Sequence, residues 1–345
     1  MQVDKVNKLI GLLNEYKELG VAEQIDYKKF YLYSLVTHST AIEGSTVTEI
    51  ENQLLFDEGI TAKGRSLQEQ MMNLDLKRAY EKAMQFANEH VDFSIDMLRE
   101  LSAYVMKNTG AVYNTAQGQF DSSKGDLRLV GVTAGVGGRS YMNYQKVPMK
   151  LDELCSDLNQ KRRELLDVDD DVAKYILSFD THFKLVTIHP WVDGNGRMAR
   201  LVMNLLQYEF GLMPSKIQKE NKAEYIQALI DSREQESLEP IREFLLSEHI
   251  ANLAREIAEY KRSLVNESVL KMSERKSENV REKKKNVRER RILDLIKANG
   301  SITLQQIATE LGVNERTIRR DIVMLKDRGV IVREGGDFGG KWVII

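Results

Sequence analysis

The chain has 345 residues, 42% apolar and 30% charged, the mixture of a soluble globular protein too long for one small core. Its single cysteine, Cys155, excludes an intramolecular disulfide or a cysteine-based zinc site, and no apolar run approaches the ~20 residues that span a bilayer. The net charge of −2 divides unevenly, with about −10 on residues 1–260, +5 on 261–287 and +3 on 288–345, so only the tail suits a polyanion.

Four prolines and abundant Met, Leu, Glu, Lys and Ala predict a mainly α fold. The N-terminal MQVDKVNKLIGLLNEYK is amphipathic and partly acidic, unlike a signal peptide, and a cytoplasmic location without membrane contact is expected. Residues 1–110 read as consecutive helices. The stretch 28–43 ends at Gly44 as a C′ residue, and Thr48-Glu49-Ile50-Glu51 is a capping box ahead of NQLLF. Further helices are predicted over about 66–88 and 94–109. From Gly110 to Pro148 glycine, serine and threonine are dense. Leu129–Val132 and Ser140–Tyr144 flank AGVGG and predict a β-hairpin flap over about 129–144. Helices resume at Pro148. Val172, Ile176, Phe179, Phe183 and Val186 form one predicted buried stripe, and Pro190 ends that helix. After Gly196, Met198, Leu201, Val202, Leu205 and Leu206 mark the next. Residues 265–287 lack apolar periodicity and read as a charged linker, with a solvated helix left open. Residues 288–345 read as three helices and a hairpin, a winged helix-turn-helix.

The loop between the two buried helices reads HPWVDGNGRMAR from position 189. Gly194-Asn195-Gly196 opens a helix, where glycines let N–H groups converge and the helix dipole favours an anion. Arg197 and Arg200 share a face near that N-terminus and suit a polyphosphate. Asp193 is a hard oxygen ligand beside the cradle, and one carboxylate with phosphate oxygens and waters is a usual Mg²⁺ arrangement. His189, at the end of the preceding helix, can accept a proton near neutral pH. Singly each has a plainer reading: a capping histidine, solvated arginines, a simple turn. Their convergence within twelve residues points to a phosphate site.

The stretch resembles the signature of the Fic family (filamentation induced by cAMP), His-Pro-Phe-x-Asp/Glu-Gly-Asn-Gly-Arg-x-x-Arg, with Trp191 in place of the usual phenylalanine. The resemblance extends over about 28–245 and implies a Fic-type helical bundle: N-terminal helices 1–110 with an inhibitory helix at about 28–44, a core over 111–264, then the linker. It implies AMP transfer from ATP to a Ser, Thr or Tyr hydroxyl of a target protein. His189 would be the base and Asp193 would hold Mg²⁺. Gly194, Asn195 and Gly196 would cradle phosphate, and Arg197 and Arg200 would bind the β- and γ-phosphates. The flap would lay the target chain beside the site by strand addition. Tyr225 is a candidate for the nucleoside side of the site, with a core aromatic as the equal alternative. Ser39-Thr40-Ala41-Ile42-Glu43-Gly44 resembles the family's inhibitory motif, Ser/Thr-x-x-x-Glu-Gly/Asn, which implies that Glu43 pairs with Arg200 and restrains the enzyme.

The run SITLQQIATELGVNERTIRRDIVMLKDRGVI resembles the DNA-binding domain of DeoR-type repressors. Arg316, Thr317, Arg319 and Arg320 would lie on the helix that enters the major groove, and a protein-binding winged helix is the alternative. Two functions compete: a self-inhibited adenylyltransferase, and a nucleotide-sensing transcriptional regulator with a non-catalytic Fic-like body. An intact His189 favours the first, because a sensor needs no base. Self-association is left open.

Overall fold

The structure, a computed structural model, describes residues 3–134, 139–335 and 340–345, with the side chains of 266–284 outside the description. The chain forms two compact units, Met1–Tyr260 and Lys261–Ile345.

The first unit is helical: α1 (Val3–Glu18), α2 (Tyr27–Ile42), α3 (Glu49–Asp57), α4 (Leu67–Asn88), α5 (Ile95–Val105), α6 (Val147–Leu166), α7 (Asp171–Ile188), α8 (Asn195–Glu209), α9 (Lys222–Glu234) and the start of α10 (Glu239–Ala298). The Thr48 capping box opens α3 as the sequence predicts, and a second one, Ser66 with Glu69, opens α4. Helix α5 stops at Val105, short of the expected 109, and residues 106–109 form a turn.

Helices α7 and α8 pack against each other at the centre, with α4 on α8 and α2 on α4. Burial on α7 is wider than the expected stripe. Tyr175, Ser178, Phe179 and His182 are fully covered, whereas Val172, Ile176 and Phe183 are half-buried. A central helix is wrapped on most sides, so its buried set departs from a one-face period.

A two-stranded ladder forms ahead of the stretch where the sequence places one. Strands β1 (Val112–Thr115) and β2 (Gly118–Asp121) pair antiparallel, Val112 opposite Asp121. The expected hairpin over 129–144 reduces to a bridge between Thr133 and Ser140, and its tip, 135–138, lies outside the described residues. The reason is Arg128. Its buried guanidinium donates to the carbonyls of Val130 and Met142, taking acceptors that a longer ladder would need. Asn143 then caps a 3₁₀ turn at Tyr144–Lys146.

The second unit has the winged-helix order: the end of α10, α11 (Leu304–Leu311), α12 (Glu315–Asp327), β3 (Ile331–Glu334) and β4 (Lys341–Ile344). Ile292, Ile296, Ile307, Ile318, Ile322, Leu325 and Trp342 form its core. Thr303 caps α11 with Gln306, and Asn314 caps α12. Buried Asp321 accepts from Arg288, tying α12 to α10. The expected hairpin turn GGDFGG includes 336–339, outside the described residues. The backbone of the expected linker is helical within α10, while most of its side chains lie outside the description.

Candidate active site

The site is built on the turn between α7 and α8. His189 is the C-cap of α7 and adopts left-handed φ/ψ of 52° and 63°. A non-glycine residue there costs roughly 1–2 kcal/mol, so the surroundings must hold it. They do so at several points. Arg128 Nε donates to the His189 carbonyl at 2.7 Å, and the Arg128 amide donates to the Pro190 carbonyl at 3.1 Å. Asn195 bonds both the amide (3.0 Å) and the carbonyl (2.8 Å) of Trp191. Trp191 fills a fully buried wedge, and its indole N–H donates to the Gly125 carbonyl at 3.1 Å.

The His189 Nδ1 lies 3.3 Å from the Val186 carbonyl, which makes it the protonated nitrogen and leaves Nε2 as the basic one. Burial pulls the imidazole down to about 4. The Val186 contact and Asp193 oppose this, and Arg128 and Arg233 reinforce it. The ring is therefore neutral at physiological pH, the form a base requires.

Beyond the turn, Gly194 takes φ 78°, and a Cβ there would meet Met106 Sδ at 2.8 Å. Asp193 is exposed, accepts from the Gly194 amide at 2.6 Å and stands 3.6 Å from Arg197. At the N-terminus of α8 the space over Gly196 is taken: a Cβ would lie 2.5 Å from Glu43 Oε1 and 3.1 Å from Arg200 Nη1. The Glu43 carboxylate thus sits on the anion cradle itself.

Glu43 reaches the cradle as the C-cap of α2. It accepts from Arg200 Nη2 at 2.6 Å, while Arg200 Nε and Nη2 also donate to the hydroxyl and carbonyl of Ser39 at 2.8 and 2.9 Å. Burial works against the Glu43 charge, yet Arg200 outweighs it and holds the carboxyl below its ordinary range. Arg197 is equally buried but poorly served. It donates to Met106 Sδ and, at 3.4 Å, to the Val105 carbonyl, and its Nε has no partner. A buried guanidinium this short of acceptors is suited to an incoming anion.

Of the residues singled out from the sequence, the structure gathers His189, Gly194, Asn195, Gly196, Arg197, Arg200 and Glu43 around this turn, with Asp193 at its rim. The Asn195 side chain is committed to the loop. Tyr225 is buried, with its hydroxyl 2.9 Å from His182 Nε2 and coupled to Arg200. It is part of the floor under that arginine. Three contributors went unnoticed in the sequence. Arg128 and Tyr141 lie in the glycine-rich stretch with no periodic signal, and Asn73 is one polar position within α4. Tyr141 stacks on His189, with ring centroids 3.7 Å apart and planes at 17°.

Asn73 sets the position of α2. Its Oδ1 accepts from Thr40 (2.7 Å) and Asn52 (2.9 Å), and its Nδ2 donates to Ser45 (3.0 Å) and the Glu69 carbonyl (2.8 Å). Thr40 and Ser45 bracket Glu43 in the chain. Asn73→Ala leaves these buried groups unpaired, at about 1–3 kcal/mol of stability. The expected outcome is a lower melting temperature together with looser docking of the Glu43 end of α2, measured as faster amide exchange at 40–45.

On the second unit Arg316, Arg319 and Arg320 are exposed on α12 and Thr317 is half-buried. Arg319 pairs with Glu315 at 3.0 Å. Among the described residues no cluster of three His, Cys, Asp or Glu could hold a metal, and no helix is long and apolar enough to cross a membrane.

Comparison with known proteins agrees with this architecture. The Fic/DOC family profile matches residues 92–207, and an HTH domain profile matches 288–336. Protein adenylyltransferase fic-1 of Caenorhabditis elegans is 27% identical over 226 residues, covering 65% of this chain and 41% of the relative. Protein adenylyltransferase Fic of Drosophila melanogaster is 28% identical over 200 residues, 57% of this chain and 37% of the relative. The chain thus spans about two fifths of the length of these curated relatives. In fold it is similar to a Fic domain containing signaling protein from Bacteroides thetaiotaomicron (TM-score 0.61, 21% identity, 74% of this chain and 97% of that one). It is also similar to a Fic family protein from Desulfovibrio desulfuricans (TM-score 0.54, 16% identity, 98% of this chain and 96% of that one). Residues 92–207 therefore match the Fic/DOC family, and residues 288–336 match an HTH domain.

Proposed function

We propose that this chain is a self-inhibited protein adenylyltransferase that moves AMP from ATP to a Ser, Thr or Tyr hydroxyl of a target protein. The observation that carries the reading is the pairing of a half-buried imidazole held neutral with an anion cradle whose own glutamate fills it. A sensor would need the cradle alone. The names of the relatives, adenylyltransferases in worm and fly, agree.

In this reading His189 Nε2 takes the proton of the target hydroxyl as its oxygen attacks the α-phosphorus, and pyrophosphate leaves. The amides at the start of α8, with Arg197 and Arg200, hold the phosphates in line. Asp193 fits Mg²⁺: it is an exposed carboxylate at the cradle's edge, and such a site holds the ion with one carboxylate and phosphate oxygens. The ion would neutralise charge on the phosphates of the leaving group. Glu43, while paired with Arg200, denies the triphosphate its last binding groups. The test is transfer of label from ATP marked at the α-phosphate into lysate proteins by wild type, Glu43→Gly and His189→Ala. Label that is strongest in the second and missing in the third supports the reading. No label in any of them leaves the sensor.

For the second unit we propose DNA binding through α12. The exposed arginines and the HTH match support it. Arg319→Ala with Arg320→Ala should weaken binding to a random-sequence duplex and reduce the salt slope by about two, measured by fluorescence anisotropy across ionic strength. An unchanged slope would mean these arginines touch no phosphate.

A further inference from the structure

We propose that Tyr141 is a positioning residue for the base, stacked on His189 so that the imidazole keeps Nδ1 on the Val186 carbonyl and presents Nε2 to the target hydroxyl. This rests on the adenylyltransferase reading and adds to it a residue outside the signature.

The geometry is specific. The two rings lie nearly parallel, 17° apart, with centroids at 3.7 Å. Arg233 lies over the Tyr141 ring, its guanidinium carbon 5.0 Å from the centroid. One side chain fixes the spacing of the pair. Arg128 donates to the His189 carbonyl at 2.7 Å and also to the carbonyl of Met142, the residue after Tyr141. The Tyr141 amide donates to the Val132 carbonyl at 2.9 Å, which closes the segment behind the ring. The backbone of His189 and of Met142, next to Tyr141, is thus held by the same guanidinium.

The clamp matters because the Nδ1–Val186 contact, at 3.3 Å, is too long to fix the ring alone. An imidazole can rotate about χ2, which would carry Nδ1 off the Val186 carbonyl and turn Nε2 away from its present direction. A flat ring against its face restricts the plane of the imidazole and so opposes rotation away from Val186. Among the described residues no hydrogen bond engages Nε2. The charged groups around the imidazole are Arg128, Arg233 and Asp193, none of which hydrogen-bonds Nε2.

The test uses full-length protein carrying Glu43→Gly, with Tyr141→Leu and Tyr141→Phe added separately. Imidazole ¹⁵N shifts at neutral pH report the His189 tautomer, assigned by loss of the signal in His189→Ala. The Glu43→Gly parent and Tyr141→Phe should show one tautomer, protonated at Nδ1, and Tyr141→Leu a mixture. In steady-state transfer Tyr141→Leu should lower kcat about 10-fold, with KM for ATP within about two-fold, and Tyr141→Phe should restore kcat. The proposal is overturned if Tyr141→Leu keeps the single tautomer, if it moves KM alone, or if Tyr141→Phe behaves as Tyr141→Leu does. If the Glu43→Gly parent transfers no AMP, the adenylyltransferase reading fails, and the tautomer signal then decides the role of Tyr141 by itself.

Discussion

Glu43→Gly should raise AMP transfer by about 10–100-fold, the gain expected when a triphosphate no longer competes with a carboxylate hydrogen-bonded to a buried guanidinium, worth about 1.5–3 kcal/mol. The carboxylate stands 2.6 Å from Arg200 and crowds the Gly196 position at the mouth of the cradle. Two costs to ATP disappear with it: displacement of an ion pair, and repulsion between carboxylate and phosphate. The same change strips a buried guanidinium of its only carboxylate within 4 Å among the described residues, leaving the Ser39 oxygens as partners. The free variant should therefore melt below wild type, and saturating ATP with Mg²⁺ should raise its melting temperature more than it raises that of wild type. Glu43→Gln separates the two effects. The amide can still accept from Arg200, so its activity should fall between the other two. Equal transfer by all three, measured with α-labelled ATP, would remove Glu43 as the restraint.

His189→Ala in the Glu43→Gly background should lower transfer by about 10²–10⁴-fold, the usual contribution of a positioned base. ATP binding should remain, because the cradle and both arginines are untouched. The pH dependence follows from the lowered imidazole. A free histidine would gain its proton on falling through about 6.5 and stop acting as a base. Burial holds His189 near about 4, so the active neutral form persists well below 6.5. The transfer rate should stay level from pH 8 to pH 5, with no acid limb near 6.5. A one-proton decline centred at 6 to 7 in kcat/KM would show the imidazole to be more exposed than its packing indicates.

Much of this protein was legible from residue order alone. The capping box at Thr48 and the apolar spacing of α8 are local signals, and they mark local structure wherever they occur. The helix–glycine turn–helix that makes a cradle is equally local, because dipole and N–H convergence belong to the helix end itself. The resemblance of 39–44 to an inhibitory motif named both partners of the Glu43–Arg200 pair, though 157 residues separate them.

The tertiary structure decided what needed groups far apart in the chain. A ladder forms at 112–121, where the sequence signals none, while the expected hairpin keeps an antiparallel bridge at Thr133 and Ser140 beside carbonyls that buried Arg128 occupies. Arg197 and Arg200 are equivalent by helical spacing, yet Arg200 bonds Ser39 and Glu43 while Arg197 Nε has no hydrogen-bond partner, since only packing assigns neighbours. Tyr225 is buried, with its hydroxyl on His182, a placement that helical spacing alone does not give. Sequence order determined which chemical groups sit at the turn. Burial, through Arg128, Tyr141 and Asn73, determined their orientation and charge, because desolvation and hydrogen-bond completion depend on everything that surrounds a group.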